Sequence, residues 1–78
     1  MWVINNIVSF MTLGKRIGRK IVSLRKKQGM TQEDLAGEAE IDRSFLSEIE
    51  NGHKNISVET LKKIADALNV KPSILLDD

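Results

Sequence analysis

The side chains best suited to specific chemistry follow Asp42 within a short polar stretch. Arg43 and Ser44 are followed one helical turn later by Ser47 and Glu48, so a helix would place them along one side. The planar guanidinium of Arg43 can donate two hydrogen bonds to O6 and N7 of guanine, a contact worth roughly 1–3 kcal/mol of discrimination. Glu48 can accept a hydrogen bond from N4 of cytosine, or its charge can simply repel the wrong DNA backbone. The set predicts recognition of a base edge, and the alternative for Arg43 is a solvated surface charge.

The composition argues against an enzyme or a metal site. The 78 residues include no cysteine and one histidine, His53, so a disulfide framework, a thiolate metal site and a histidine cluster are all excluded. No nucleophile and base can be paired, and we expect neither catalysis nor a cofactor. The lack of cysteine favours a cytoplasmic setting. A chain of this length supports one domain.

Two short helices must position the polar stretch. Thr31 and Asp34 predict a capping box that starts a helix at Gln32, and this helix should end near Ala39 or Glu40. Asp42 predicts the N-cap of a second helix. Its inward positions are Phe45, Leu46 and Ile49, with Phe45 partly buried, and it ends at Asn51-Gly52. Helices joined by three or four residues cross steeply, which predicts a helix-turn-helix motif over residues 31–52.

The motif carries a family resemblance. The runs GMTQEDLA, from residue 29, and IDRSFLSEIENG, from residue 41, resemble the Cro/repressor class (XRE family) of phage and bacterial regulators, over about residues 13–76. Within that class, DRSFLS followed by HKNIS is most similar to the controller proteins of restriction-modification systems. The resemblance implies an all-α, compact five-helix, lambda-repressor-like DNA-binding domain at residues 12–78. One departure is Glu40 at a turn position usually held by Gly or Asn, which would cost roughly 1 kcal/mol if it must adopt a left-handed conformation. Another is Gly37 inside the first motif helix, which costs about as much relative to Ala.

The same resemblance implies a function and a structural ion pair. It implies a homodimer on a pseudo-palindromic operator that regulates its own gene and a restriction endonuclease gene, activating at low occupancy and repressing at high occupancy. The implied partners are double-stranded DNA, a second copy of the chain and RNA polymerase. Arg25 is expected to pair with Glu50 near the end of the recognition helix. A phage-type repressor, an antitoxin-like regulator and a protein-interaction module on the same fold are the alternatives.

Phosphate contacts are expected at both ends of the motif. Thr31 and Gln32 would present the N-terminus of the first motif helix to the DNA backbone, while Asn51, Lys54 and Asn55 would clamp it beyond the second. Net charge is only +1, but the segment before the motif holds a run of cations without an acid. That run, at residues 15–27, is either a solvated helix face or a further source of phosphate contacts.

The remaining elements support the motif. Residues 12–28 predict a long helix with an apolar stripe of Leu13, Ile17, Ile21 and Leu24, stopped by Gly29. Ser57 caps another amphipathic helix that ends at Asn69, and Pro72 begins a short final one. The dimer interface is expected at Val70, Ile74, Leu75 and Leu76. The alternative is that these residues pack into the core of their own chain.

Residues 1–11, MWVINNIVSFM, form an apolar N-terminal extension. The stretch is too short to span a membrane and lacks the features of a signal peptide, so we expect no membrane partner. Three interpretations stay open: an extra element that packs on the domain or on a dimer partner, a membrane-surface anchor, or an upstream extension before a start at Met11.

Overall fold

The computed structural model describes residues 12–77, and within that range the chain folds into five α-helices without a β-strand. In chain order they are α1 (Leu13–Lys27), α2 (Gln32–Ala39), α3 (Arg43–Glu50), α4 (Val58–Leu68) and α5 (Pro72–Leu76). The predicted all-α, five-helix fold is therefore confirmed. None of these five helices is long and apolar enough to cross a membrane. The apolar extension predicted at residues 1–11 lies outside the described residues, as does Asp78.

All five helices contribute to one core. α1 packs against α3 and α5, α2 packs against α3 and α4, and α4 also contacts α5. The largest fully buried side chains are aliphatic and come from every helix: Ile21, Leu35, Leu46, Ile49, Ile64, Leu68 and Leu75. Removal of this apolar surface from water is the main force that holds the helices of the motif at a fixed angle.

Local capping sets the helix starts. The hydroxyl oxygens of Thr12, Thr31 and Ser57 each accept a hydrogen bond from a backbone N–H three residues later. Thr31 and Asp34 form the predicted capping box. Asp42 occupies the predicted N-cap position of α3, although its side chain makes no capping hydrogen bond.

Two helices end on a non-glycine residue in the left-handed conformation. Glu40 has φ 58° after α2 and Asn69 has φ 61° after α4, whereas Gly29 and Gly52 occupy this region after α1 and α3. The strain expected at Glu40 is therefore present, because an L side chain at positive φ crowds its own backbone. The backbone N–H of Ile41 still donates to the carbonyl of Ala36 at 3.0 Å, which closes the turn of the motif.

Two apolar positions differ from the sequence pattern. Leu13, the first residue of the predicted α1 stripe, is 55% exposed, while Ile17 is 5% exposed. Leu75 is 1% exposed and belongs to the core of its own chain, so it has almost no surface to offer a second copy. Its neighbours Ile74 and Leu76 remain 37% and 44% exposed. A five-residue helix turns consecutive side chains to different sides, and only one of the three can point inward.

Candidate nucleic-acid interface

The predicted base-reading side chains lie together on the outer face of α3, which we call the reading face. Arg43, Ser44 and Glu48 are exposed and Ser47 is half-buried. Phe45 is partly buried against the core, as the sequence predicts. The face that carries hydrogen-bonding groups is therefore the face left open by the packing of α3.

A buried ion pair anchors the other end of α3. The guanidinium of Arg25 donates from Nε to Glu50 Oε2 at 2.8 Å and from Nη2 to Oε1 at 2.9 Å. The two side chains are only 10% and 3% exposed. Arg25 Nη1 also donates to the carbonyl oxygen of Met30 at 3.0 Å. This bidentate pair has the geometry that the family resemblance implied, and it joins α1, the loop before α2 and α3 at one point.

Gln32 connects that ion pair to the reading face. Its Nε2 donates to Glu50 Oε1 at 2.9 Å, while its Oε1 accepts from Arg43 Nη1 at 3.5 Å. The first of these bonds is well formed and the second is at the limit of a hydrogen bond. The sequence predicted Gln32 only as a phosphate contact, but its side chain also lies between the carboxylate of Glu50 and the guanidinium of Arg43. Among the described residues, no buried side-chain nitrogen or oxygen lacks a partner.

The start of α2 lies beside Arg43. Thr31 is exposed, and its backbone N–H donates to Asp34 Oδ2 at 2.9 Å. This bond, together with the one from the Thr31 hydroxyl, lowers the pKa of Asp34 below its ordinary value. An open depression runs between Thr31, Gln32, Glu33 and Arg43. Thr31 therefore lies beside the reading face, in a position from which it could contact a phosphate of the DNA backbone.

The predicted clamp at the far end of α3 is also exposed. Asn51, Lys54 and Asn55 all face solvent. The chain turns there because His53 N–H donates to the carbonyl of Glu48 at 2.9 Å. Lys54 Nζ lies 3.5 Å from Glu48 Oε2, and both side chains are about half exposed. This cation offsets the negative charge of the Glu48 carboxylate.

Gly18 is a positioning residue that the sequence reading missed. A Cβ atom at this position would lie 2.5 Å from the carbonyl oxygen of Glu50 and 2.6 Å from that of Ile49. Only glycine therefore allows α1 to cross so close to the last turn of α3. The only signal in the sequence is an unexplained glycine within a helical pattern, which periodicity alone cannot assign.

Of the four residues predicted for a dimer interface, three have surface exposed to solvent. Ile74 and Leu76 expose apolar surface on α5, Val70 is half-buried in the loop before it, and Leu75 is not available. The apolar surface predicted for a dimer interface therefore consists of Ile74 and Leu76, with a smaller contribution from Val70.

Comparisons with known proteins agree with this geometry. A helix-turn-helix family model matches residues 21–75. The chain is 43% identical over 61 residues to the control protein C.BamHI of Bacillus amyloliquefaciens, covering 77% of this chain and 75% of that protein. The restriction-modification controller protein C.AhdI from Aeromonas hydrophila has a similar structure, with a TM-score of 0.78 and 34% identity over 80% of this chain and 94% of that chain. The controller protein C.Esp1396I, solved as a tetramer in complex with its natural 35 base-pair operator, has a TM-score of 0.75 and 33% identity over 81% of this chain and 83% of that chain.

Proposed function

The chain belongs to the helix-turn-helix family of transcription regulators and resembles restriction-modification controller proteins, and on this premise we propose that it is itself such a controller. It binds a pseudo-palindromic operator as a homodimer and regulates its own gene. The observation that carries the proposal is Arg43. This arginine is exposed at the first position of α3, and its Nη1 lies 3.5 Å from Gln32 Oε1 at the start of α2.

Base reading comes from the first two turns of α3. In a helix-turn-helix protein the N-terminal part of the second helix enters the major groove. Arg43 then bonds O6 and N7 of a guanine, Ser44 and Ser47 contact neighbouring base edges, and Glu48 selects a cytosine or excludes a wrong base. The buried Arg25–Glu50 pair supports this role because it fixes the opposite end of α3 to the core.

Phosphate contacts come from the two ends of the motif. Thr31 and Gln32 meet one backbone at the N-terminus of α2, where the helix dipole favours an anion. Asn51, Lys54 and Asn55 meet the other backbone beyond α3. These contacts fix the register of α3 in the groove but carry no sequence information of their own.

A homodimer through the end of α5 completes the site. Exposed Ile74 and Leu76, with half-buried Val70, supply the apolar part of the interface. Two copies of α3 then lie about 34 Å apart, one turn of the DNA helix, and read the two half-sites of the operator. C.Esp1396I occupies its operator as a tetramer, which supports two adjacent dimers here as well. Occupancy of the upstream pair of half-sites recruits RNA polymerase, and occupancy of the second pair blocks it.

A footprint on the DNA upstream of the gene for this chain tests the proposal. We expect protection of two half-sites with centres about one helical turn apart, which weakens steeply as salt is raised because phosphate contacts release counterions. Protection of a second adjacent site supports the controller function. The absence of protection at both low and physiological salt refutes DNA binding and favours a protein-interaction module.

Arg43→Ala tests the mechanism separately. The variant should lose roughly 1–3 kcal/mol of discrimination at one guanine position of each half-site while the fold stays intact, because Arg43 is exposed. Asn55→Ala is the matched control, since it removes one proposed phosphate contact outside the reading face and should weaken all duplexes alike. If Arg43→Ala also weakens all duplexes alike, then Arg43 is a phosphate contact and not a base reader.

A further inference from the structure

An apolar groove opens beside the far end of α3. It is lined by Leu13 and Ile17 of α1, Ile49 of α3 and Ile56 of the connection between α3 and α4, and its volume is about 100 Å³. Gly14 leaves part of its wall without a side chain: a Cβ there would lie 3.7 Å from the carbonyl oxygens of Gly52 and Lys54, an ordinary contact distance. The groove can thus accept roughly one large apolar side chain.

The described residues do not cover the mouth of this groove. Leu13 is 55% exposed, although it begins the stripe whose later members Ile17 and Ile21 are 5% and 0% exposed. Ile56 is only partly buried against the core. An apolar cleft that keeps a large aliphatic side chain in water is a site where further apolar contact lowers the free energy.

The segment of chain best placed to cover it is residues 1–11. Seven of residues 2–11 are apolar and none carries a charged side chain. The segment ends at Met11, next to Thr12, the N-cap of α1, and Leu13 follows directly at the mouth of the groove. A covalent tether this short keeps the effective concentration of the segment at the groove far above that of any free partner.

We propose that residues 1–11 dock an apolar side chain into the groove between Leu13, Ile17, Ile49 and Ile56 of their own chain. Docking brings the segment against the connection that carries Lys54 and Asn55, which line the polar edge of the same groove. The contact restrains the backbone of this connection. The N-terminal segment is thus a strap on the loop that follows α3.

Methyl and amide NMR spectra of the full chain and of a variant that starts at Met11 test the contact. We expect the methyl resonances of Ile49 and Ile56 to shift between the two, because these residues are far from the deletion in sequence and can sense it only through space. Amide exchange at Asn55 and Ile56 should be at least twofold faster in the shortened variant. Unchanged Ile49 and Ile56 methyl signals would overturn the proposal.

A substitution in the full chain provides the second arm. Leu13→Gln should move the Ile56 methyl signal toward its position in the shortened chain, and the fold should persist because Leu13 is more than half exposed. Val58→Gln is the matched control, since Val58 is 82% exposed and does not line the groove. Equal responses to Leu13→Gln and Val58→Gln would overturn the proposal. A shift that disappears on dilution would also overturn it, because the occupant would then be a second copy.

Discussion

Replacement of Arg25 by alanine should destabilise the protein more than any single surface change. The substitution removes both hydrogen bonds to Glu50 and the bond to the carbonyl of Met30, at 2.8, 2.9 and 3.0 Å. Glu50 would keep its hydrogen bond from Gln32 but lose both bonds from the guanidinium, while its own side chain stays 3% exposed. An uncompensated carboxylate in that position costs about 3–5 kcal/mol, because burial denies it water.

This loss is large relative to the stability of a chain of this size. Domains are typically stable by 0.05–0.15 kcal/mol per residue, which for this chain gives about 4–12 kcal/mol. Each kcal/mol lowers the Tm of a small domain by about 4–8 °C, so Arg25→Ala should lower it by at least about 12 °C. Urea and thermal unfolding followed by far-UV circular dichroism measure both quantities.

An exposed ion pair on α4 supplies the matched control. Lys62 Nζ lies 3.1 Å from Asp66 Oδ2, with side chains 68% and 62% exposed. Water screens this pair, so Lys62→Ala should cost less than about 0.5 kcal/mol. A loss below about 1 kcal/mol in Arg25→Ala would refute the reasoning, since it would mean that Glu50 finds water or a proton at little cost.

The double variant Arg25→Met/Glu50→Met separates loss of the pair from loss of packing. It leaves no buried charge, and we expect most of the stability lost in Arg25→Ala to return. The operator affinity of this double variant should still fall if the pair also sets the angle of α3. A double variant as unstable as Arg25→Ala would show that the arginine stem, and not the charge, carries the effect.

Three further outcomes follow from single residues. Gly37→Ala should stabilise the protein by about 0.5–1 kcal/mol, because a Cβ there meets no atom within 4 Å, whereas Gly18→Ala should destabilise it, because the same atom would lie under 3 Å from backbone oxygens of α3; urea unfolding of the two variants would contradict this if both changed stability in the same direction. Gln32→Ala should cost about 1–2 kcal/mol by the same measurement, through loss of its bond to a buried carboxylate, and should relax discrimination at the base read by Arg43; unchanged stability and specificity would remove Gln32 from the connection. The pKa of Asp34 is lowered in the folded state, so its contribution is present above the ordinary pKa and lost as pH falls through the lowered value. The stability advantage of the wild type over Asp34→Asn should therefore vanish in acid, and an advantage that persists there would assign it to packing.

Local signals in the sequence were sufficient for the helix boundaries. Thr31 with Asp34, Ser57, Gly29, Asn69 and Pro72 act within a few residues of their own positions, and each lies at the predicted helix end. The family resemblance supplied the Arg25–Glu50 pair, whose partners are 25 residues apart. Periodicity alone would not have matched these two residues.

The motif and its candidate reading face were thus determined by the sequence, because caps, stop signals and an apolar period are short-range properties of the chain. Three features depended on tertiary structure. The side chain of Gln32 bridges Glu50 and Arg43, Gly18 admits the close crossing of α1 and α3, and Leu75 rather than Leu13 enters the core. Each depends on how separate helices pack in space, and the spacing of residues along one helix carries no record of the distance to another.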